Sequence, residues 1–392
     1  MDKAFYRNLL AITMPIAFQN IISYSVNMMD TLMLGSLGET VLSASSLAGQ
    51  VFFLFSILVS GLGCGAGVLC SQYFGKRDLK NLRKIAAMVL KLAIGLSVIF
   101  TLLLLICPAA VMKIFTPETA VIEQGAKYLR AVSVSYICFG ITTTFLIVLR
   151  SLQDVKLSLW IYTVSFFTNV FFNYVFIFGH FGFPQLGVTG AAIGTVVSRV
   201  VEMSINIVGG YRNTYLKEAM VLKKVPLSLT KEMLKRGLPL LCNEILWSIS
   251  IALISQSYST RGIIAVAAIN ITTTVTNFFM IVCYAMGNSI SIVVGQQLGA
   301  GEIEKAKDYH LKMLFMNFVM CLAIGIVLFN VSSLIPQIYN TSLEVKALAS
   351  QLLKIAACML PIISIYYSSY FTMRAGGKTF LTFLFDSGYT FV

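Results

Sequence analysis

Charge is what this sequence has least of. Only 11% of its 392 residues are Asp, Glu, Lys or Arg, against roughly 25% in an ordinary soluble domain. With 57% of residues hydrophobic, too few polar side chains remain to coat a soluble globule. Disorder is excluded by the same figures, since it needs low hydrophobicity and many charges. Histidine is nearly missing, and His180 and His310 lie far apart, so no histidine metal site is expected. The eight cysteines form no CxxC pair and sit in or beside apolar runs; they read as buried filler, not as metal ligands or disulfides. No Walker lysine accompanies the glycine run Gly61-Leu62-Gly63-Cys64-Gly65-Ala66-Gly67. That run is read as close helix packing. With no ATPase motif and no catalytic constellation, neither an enzyme nor a cofactor is expected.

What is present is apolar length. A run of about 20 residues spans a bilayer as a helix, and the runs here do not alternate as barrel strands do. The reading is an all-α polytopic membrane protein with ten full spans. They cover Leu9–Leu34, Ser46–Cys70, Ile85–Cys107, Ala126–Leu149, Leu157–Phe178, Gly187–Gly209, Leu238–Thr260, Ile263–Val294, Leu311–Phe329 and Gln351–Thr372, with a partial one at Thr379–Val392. The formal net charge is +13. Of the 29 Lys and Arg, 21 fall in segments sharing a side with the N-terminus and 6 on the opposite side. The positive-inside rule then makes the N-terminus cytoplasmic. The basic balance is a membrane signature on this reading, not a nucleic-acid one. The expected setting is a monomer in the cytoplasmic membrane.

An internal repeat organises the chain. At a shift of 224 residues Pro15 meets Pro239, Gly38 meets Gly262, Ala44 meets Ala268, and Gly63 meets Gly287. Gln72 meets Gln296, Gly75 meets Gly299, Leu129 meets Leu353 and Arg150 meets Arg374. Proline and glycine dominate, so the copies share backbone geometry. Six spans per copy keep both in the same orientation, which makes the repeats parallel. The expected lobes are residues 1–210, with six spans, and 236–392, joined by a basic cytoplasmic linker over 211–235. Val392 stands opposite Thr168 of the first copy, so the second lobe is expected to be truncated within its fifth helix.

Three stretches resemble the multidrug and toxic compound extrusion (MATE) family of secondary transporters. One runs from Met14-Pro15 to Asp30-Thr31-Leu32-Met33-Leu34-Gly35. A second is Ser71-Gln72-Tyr73-Phe74-Gly75-Lys76-Arg77-Asp78 with its partner Gly295-Gln296-Gln297-Leu298-Gly299-Ala300-Gly301. The third is Asn169-Val170-Phe171-Phe172-Asn173 with Gly187-Val188-Thr189-Gly190-Ala191-Ala192-Ile193-Gly194-Thr195. The resemblance implies twelve spans in two six-helix lobes. It also implies export of cationic, often aromatic compounds by alternating access, driven by inward Na⁺ or H⁺.

Ionisable groups inside spans are costly and therefore functional candidates. Here they are Asp30, Glu244, Lys91, the pair Arg199/Glu202, and Asp386 in the partial span. Asp30 is the leading candidate, because a carboxylate facing a cavity can hold Na⁺ or take a proton; the resemblance places it in the cation-coupling site. Asn169 and Asn173 share one helix face at i,i+4. Their amide oxygens can complete a transient Na⁺ shell with Asp30, since hard cations take oxygen ligands; otherwise they are an interhelical hydrogen-bonding pair. Many family members carry Asp where Asn173 stands, which removes one titratable group here. Thr195 matches a polar family position and adds a hydroxyl. Glu244 is given a cation or substrate role in the second lobe by the resemblance, with Asn243 and Trp247 nearby. Tyr366 and Tyr367 offer rings to an aromatic cation. Arg199 and Glu202, at i,i+3, are read as neutralising each other, and Lys91 as snorkelling to the surface. Two alternatives stay open: a lipid-linked oligosaccharide flippase of the same superfamily, and an inactive truncated fragment.

Overall fold

The computed structural model describes residues 3–212, 225–339 and 341–388. Among them all regular structure is helical. The order is α1 (Lys3–Gly35), α2 (Glu39–Gly75), α3 (Leu79–Ile106), α4 (Pro108–Lys113), α5 (Thr119–Val132), α6 (Ser135–Ser151), α7 (Val155–Phe178), α8 (Val188–Arg212), α9 (Leu227–Ser259), α10 (Ile263–Gly299), α11 (Ile303–Val331), α12 (Leu343–Ala375) and α13 (Thr379–Phe383). A π turn over Leu384–Gly388 follows α13. Nine of these helices are long and apolar enough to cross a membrane, or ten if the bent pair α5 and α6 counts as one span. The protein is a multi-pass α-helical membrane protein. Residues 213–224 of the expected linker and 389–392 of the partial span lie outside the described residues. Helix α9 begins within the stretch expected as linker: Pro226 accepts from the amides of Leu229 and Thr230, and Glu232 pairs with Arg236 one turn on at 2.9 Å.

The repeat is written into the helix ends. Adding 224 to the first residues of α1, α2, α3, α5 and α7 gives the first residues of α9, α10, α11, α12 and α13. The turns correspond as well. Left-handed backbone recurs at Gly38 and Gly262 (φ 111° and 96°), at Arg77 and Gly301 (59° and 81°), and at Gln153 and Gly377 (62° and 74°). The first copy thus forces Arg77 and Gln153 into a conformation that glycine adopts freely in the second.

The expected fourth span, Ala126–Leu149, is not one straight helix. It breaks between α5 and α6 with a bend of 54°. At the break the Ser133 carbonyl accepts the Thr101 hydroxyl from α3 at 3.0 Å in place of the Ile137 amide, while the amides of Tyr136 and Ile137 reach back only three residues, to Ser133 and Val134. Diverting a ladder carbonyl to a side chain opens a helix. In the second copy the equivalent carbonyl is Ala357, freed by Pro361, which has no N–H to offer it. The residue equivalent to Thr101 is Gly325, and a Cβ there would stand 2.6 Å from the Ala357 oxygen. Both copies therefore weaken the same turn by different chemistry.

The chain divides into two compact units. An amino unit comprises Phe18–Cys70 and Asp78–Leu241; a carboxyl unit comprises Met1–Ala17, Ser71–Arg77 and Cys242–Val392. In the amino unit, Phe55, Leu104, Met112, Leu129 and Tyr136 centre the core. The glycine run of α2 closes against α9 there, with a Cβ on Gly65 falling 2.5 Å from the Gly237 Cα. In the carboxyl unit, Cys283, Cys321, Leu353 and Leu360 centre the core. The Gln–Gly motifs cross in that unit reciprocally. A Cβ on Gly75 would stand 1.9 Å from the Gln296 oxygen, and one on Gly299 1.9 Å from the Gln72 oxygen.

Candidate functional site

In the amino unit, α7 and α8 pack closely because α8 carries glycine where it meets α7. A Cβ on Gly190 would lie 2.4 Å from the Phe176 oxygen, and one on Gly194 2.2 Å from Asn173 Oδ1. This small-residue approach brings Asn169 and Asn173 of α7 beside the face of α8 that carries Thr195 and Arg199. Asn173 is fully buried. Its Nδ2 donates to Asp30 Oδ1 at 2.6 Å and to Asn169 Oδ1 at 3.2 Å. Its Oδ1 is buried without a hydrogen-bond partner.

Asp30, Asn169, Thr195 and Arg199 line one cavity of about 480 Å³, with Phe52, Phe139, Tyr136, Tyr162 and several serines. Among the described residues Asp30 is the one carboxylate in this lining. The Thr195 hydroxyl donates to the Ala191 carbonyl at 3.0 Å, so toward the cavity it offers lone pairs. Arg199 Nη1 donates to Glu202 Oε2 at 2.7 Å, and Ser165 donates to the same oxygen at 3.2 Å. The Arg199 guanidinium lies over the rings of Phe139, 5.1 Å away, and Phe52, 5.9 Å away.

The carboxyl unit holds a second polar cluster. Asn243 of α9 donates from Nδ2 to Asp386 Oδ2 at 2.6 Å and to the Tyr370 hydroxyl at 3.2 Å. Its Oδ1 accepts from Ser387 at 2.7 Å. The Tyr366 hydroxyl donates to the other Asp386 oxygen. Glu244, next to Asn243, is half-buried and within electrostatic reach of Arg374 and Asp386. Tyr367 meets Tyr284 hydroxyl to hydroxyl at 3.3 Å. Trp247, one turn beyond Asn243, is 39% exposed.

Comparison with known proteins adds the decisive observation. A family model described as MatE matches residues 15–175 and again 239–385, two matches whose first residues are the repeat-equivalent prolines. The chain belongs to the MATE family. MATE proteins are transporters, not enzymes. Among curated relatives, a probable multidrug resistance protein NorM from Thermotoga maritima is 25% identical, over 95% of this chain and 80% of its own length. An uncharacterized transporter, YisQ, from Bacillus subtilis is 24% identical over 96% of this chain and 82% of its own. The fold matches that of a Vibrio cholerae MATE transporter, VcmN, in its bent form, with a TM-score of 0.90 at 18% identity, covering 98% of this chain and 86% of that one. An outward-facing MATE transporter gives 0.88 at 19% identity, over 96% and 84%.

For this MATE chain, the structure brings Asp30, Asn169, Asn173 and Thr195 together. It gathers Glu244, Tyr366 and Tyr367 separately in the carboxyl unit. In the amino unit Asn173 presents its nitrogen, not its oxygen, to Asp30, and the same nitrogen donates to the Asn169 oxygen, so the pair does not offer the carboxylate the two amide oxygens expected for a Na⁺ shell. Two residues that sequence reasoning left without a functional role emerge from the geometry. Asp386 closes the Asn243 cluster, and Arg199 lines the Asp30 cavity.

Proposed function

We propose that this chain is a multidrug efflux transporter of the cell membrane, exporting aromatic cations in exchange for Na⁺ or H⁺, with its N-terminus in the cytoplasm. The reading rests chiefly on Asp30, the single carboxylate among the described residues lining a hydroxyl-rich cavity, where it holds one amide hydrogen bond. An anionic Asp30 attracts a metal ion, a proton or a cationic drug, and cannot satisfy all three at once. The coupling ion favours one arrangement of the transporter and the drug another, because a ligand shifts a two-state equilibrium only by its differential affinity. The names of the curated relatives support the substrate class, and the bias of cations across loops supports the orientation.

The test is ethidium efflux from proteoliposomes holding the purified chain, with Na⁺ and pH gradients imposed separately. One gradient should drive efflux, and Asp30→Asn should abolish it without loss of folded protein. Equal efflux by wild type and variant would remove Asp30 from the mechanism.

A further inference from the structure

Cations are scarce on the side opposite the N-terminus, and half of them gather at one groove. Of the six Lys and Arg assigned to that side, Lys113, Lys127 and Arg130 line a single cavity of about 380 Å³ between α4 and α5. Pro108 and Ile122 belong to its apolar wall, and Glu123 is the one carboxylate among the described residues lining it. Three cations less one carboxylate leave a net charge of +2. Lys127 pairs with Glu123 at 2.8 Å, with both side chains more than half exposed. Lys113 and Arg130 hold no ion pair or side-chain hydrogen bond among the described residues.

The groove follows from how α5 is written. Ile122, Glu123, Lys127 and Arg130 recur at three and four residues and share one face, while Val121, Gly125, Leu129 and Val132 are buried on the other. Gly125 leaves room for the Met112 side chain of α4, which holds the two helices together. The fold does not dictate the charges. In the second copy Gln337 and Gln351 stand where the first has Lys113 and Lys127, and Lys346 stands in the place of Ile122. Lys354, the counterpart of Arg130, lies over the Phe329 ring at 6.0 Å.

The positive-inside bias disfavours outer cations, so an unpaired cluster of them calls for an anion. The surroundings of the groove say which kind. Ile106 and Ile114, immediately outside the two ends of α4, are 71% and 80% exposed. Ile99, Leu102 and Ile106 continue that apolar surface along α3, spaced three and four residues apart and all exposed. A basic pocket at the end of a span, opening onto an apolar ridge, matches a ligand with an anionic head and a hydrocarbon tail; such pockets take anionic lipid headgroups.

We infer that the α4–α5 groove binds an anionic phospholipid, with its phosphate between Lys113 and Arg130 and an acyl chain along Ile106, Leu102 and Ile99. The proposed orientation of the chain places this lipid in the outer leaflet. Binding itself depends on neither the drug nor the coupling ion.

Native mass spectrometry of the purified full chain in detergent counts bound lipids and gives the affinity for the first. Phosphatidylglycerol should bind at least fivefold more tightly than phosphatidylcholine, which carries no net charge. K113Q and R130Q combined should weaken phosphatidylglycerol about 25-fold, at about fivefold for each cation lost, and leave phosphatidylcholine unchanged. R261Q and K346Q combined remove the same charge elsewhere on that side and should leave both affinities unchanged. Equal wild-type affinity for the two lipids overturns the site, and so does an equal loss in the two double variants. Displacement of phosphatidylglycerol by an equal concentration of glycerol 1-phosphate would assign the groove to a free phosphate ester and overturn the lipid. If the K113Q/R130Q protein does not fold, R130Q alone decides, with an expected loss of about fivefold. D30N should leave lipid affinity unchanged, so loss of efflux in that variant and loss of lipid binding in the groove variants fail or succeed separately.

Discussion

Asn243 donates to Asp386 at 2.6 Å, the length of the bond from Asn173 to Asp30, but with the two helices exchanging roles. In the amino unit the acid sits on α1 and the amide on α7. In the carboxyl unit the amide sits on α9, the counterpart of α1, and the acid follows α13, the counterpart of α7. The clusters are not copies at one depth: the residue equivalent to Asn243 is Gln19, eleven positions before Asp30. Gln19 instead accepts from Arg150 at 2.6 Å and donates to the Val155 carbonyl at 3.2 Å. The same pair of helices thus supports a buried amide–carboxylate bond with either partner carrying the charge.

The exchange predicts that charge position is tolerated if the pair is kept. In the amino unit, Asp30→Asn alone should abolish gradient-driven ethidium efflux. The double variant D30N/N173D restores one carboxylate and one amide across the same 2.6 Å contact. It should recover efflux at least fivefold above D30N in proteoliposomes. Recovery no greater than background would mean that the carboxylate must project from α1.

Gly194 sets how closely α7 and α8 approach. Adding a methyl group places a Cβ 2.2 Å from Asn173 Oδ1 and 3.0 Å from its backbone nitrogen. Overpacking of this kind costs about 1–3 kcal/mol. Gly194→Ala should therefore lower the thermal midpoint in detergent and weaken efflux together. A methyl group on Gly95, in α3, would meet nothing within 4 Å. Gly95→Ala should be neutral or stabilising by up to about 1 kcal/mol, since alanine favours helix. Equal midpoints for the two variants would contradict the packing role of Gly194.

Helix number and the repeat were legible because apolar length and Pro/Gly punctuation are local signals. The constant shift of 224 survives in helix starts as far as Thr379. The break at Ser133 was not legible, since the hydroxyl that its carbonyl accepts lies on another helix, 32 residues earlier, and the sequence around it holds no proline or glycine. Asp30, Asn169 and Asn173 stood out as polar groups in apolar runs, yet which way the Asn173 amide turns is decided by its neighbours. Asp386 was visible as a charge but not as a partner. Asn243 lies 143 residues away, and the shift maps the pair onto Gln19 and Tyr162, neither of them acidic.

The diverted carbonyl at the α5–α6 bend gives a stability prediction. Thr101→Val keeps the shape and removes the hydroxyl that shares the Ser133 carbonyl with the Tyr136 amide. An interhelical hydrogen bond in a membrane protein contributes about 0.6 kcal/mol on average and up to about 1.7, so the loss should fall in that range. Thr101→Ser retains the donor and should stay nearer wild type. Thermal unfolding of the three proteins in one detergent decides it; a Val variant as stable as the Ser variant would show that the bond contributes nothing.

Tyr366 separates ring from hydroxyl. The residue is 45% exposed and its ring stands edge-on to that of Tyr367, with centroids 5.2 Å apart, while its hydroxyl is committed to Asp386. If the ring receives aromatic cations in the carboxyl unit, Tyr366→Ala should weaken ethidium binding at least fivefold, the scale of a partly desolvated cation–π contact of about 1 kcal/mol or more. Tyr366→Phe keeps the ring and removes one donor to Asp386. It should weaken binding far less and change its dependence on Na⁺ or pH, because the acid keeps the Asn243 donor but has lost one that competes with an ion. Equal losses in the two variants would assign the effect to the hydrogen bond and exclude the ring as a contact for the drug.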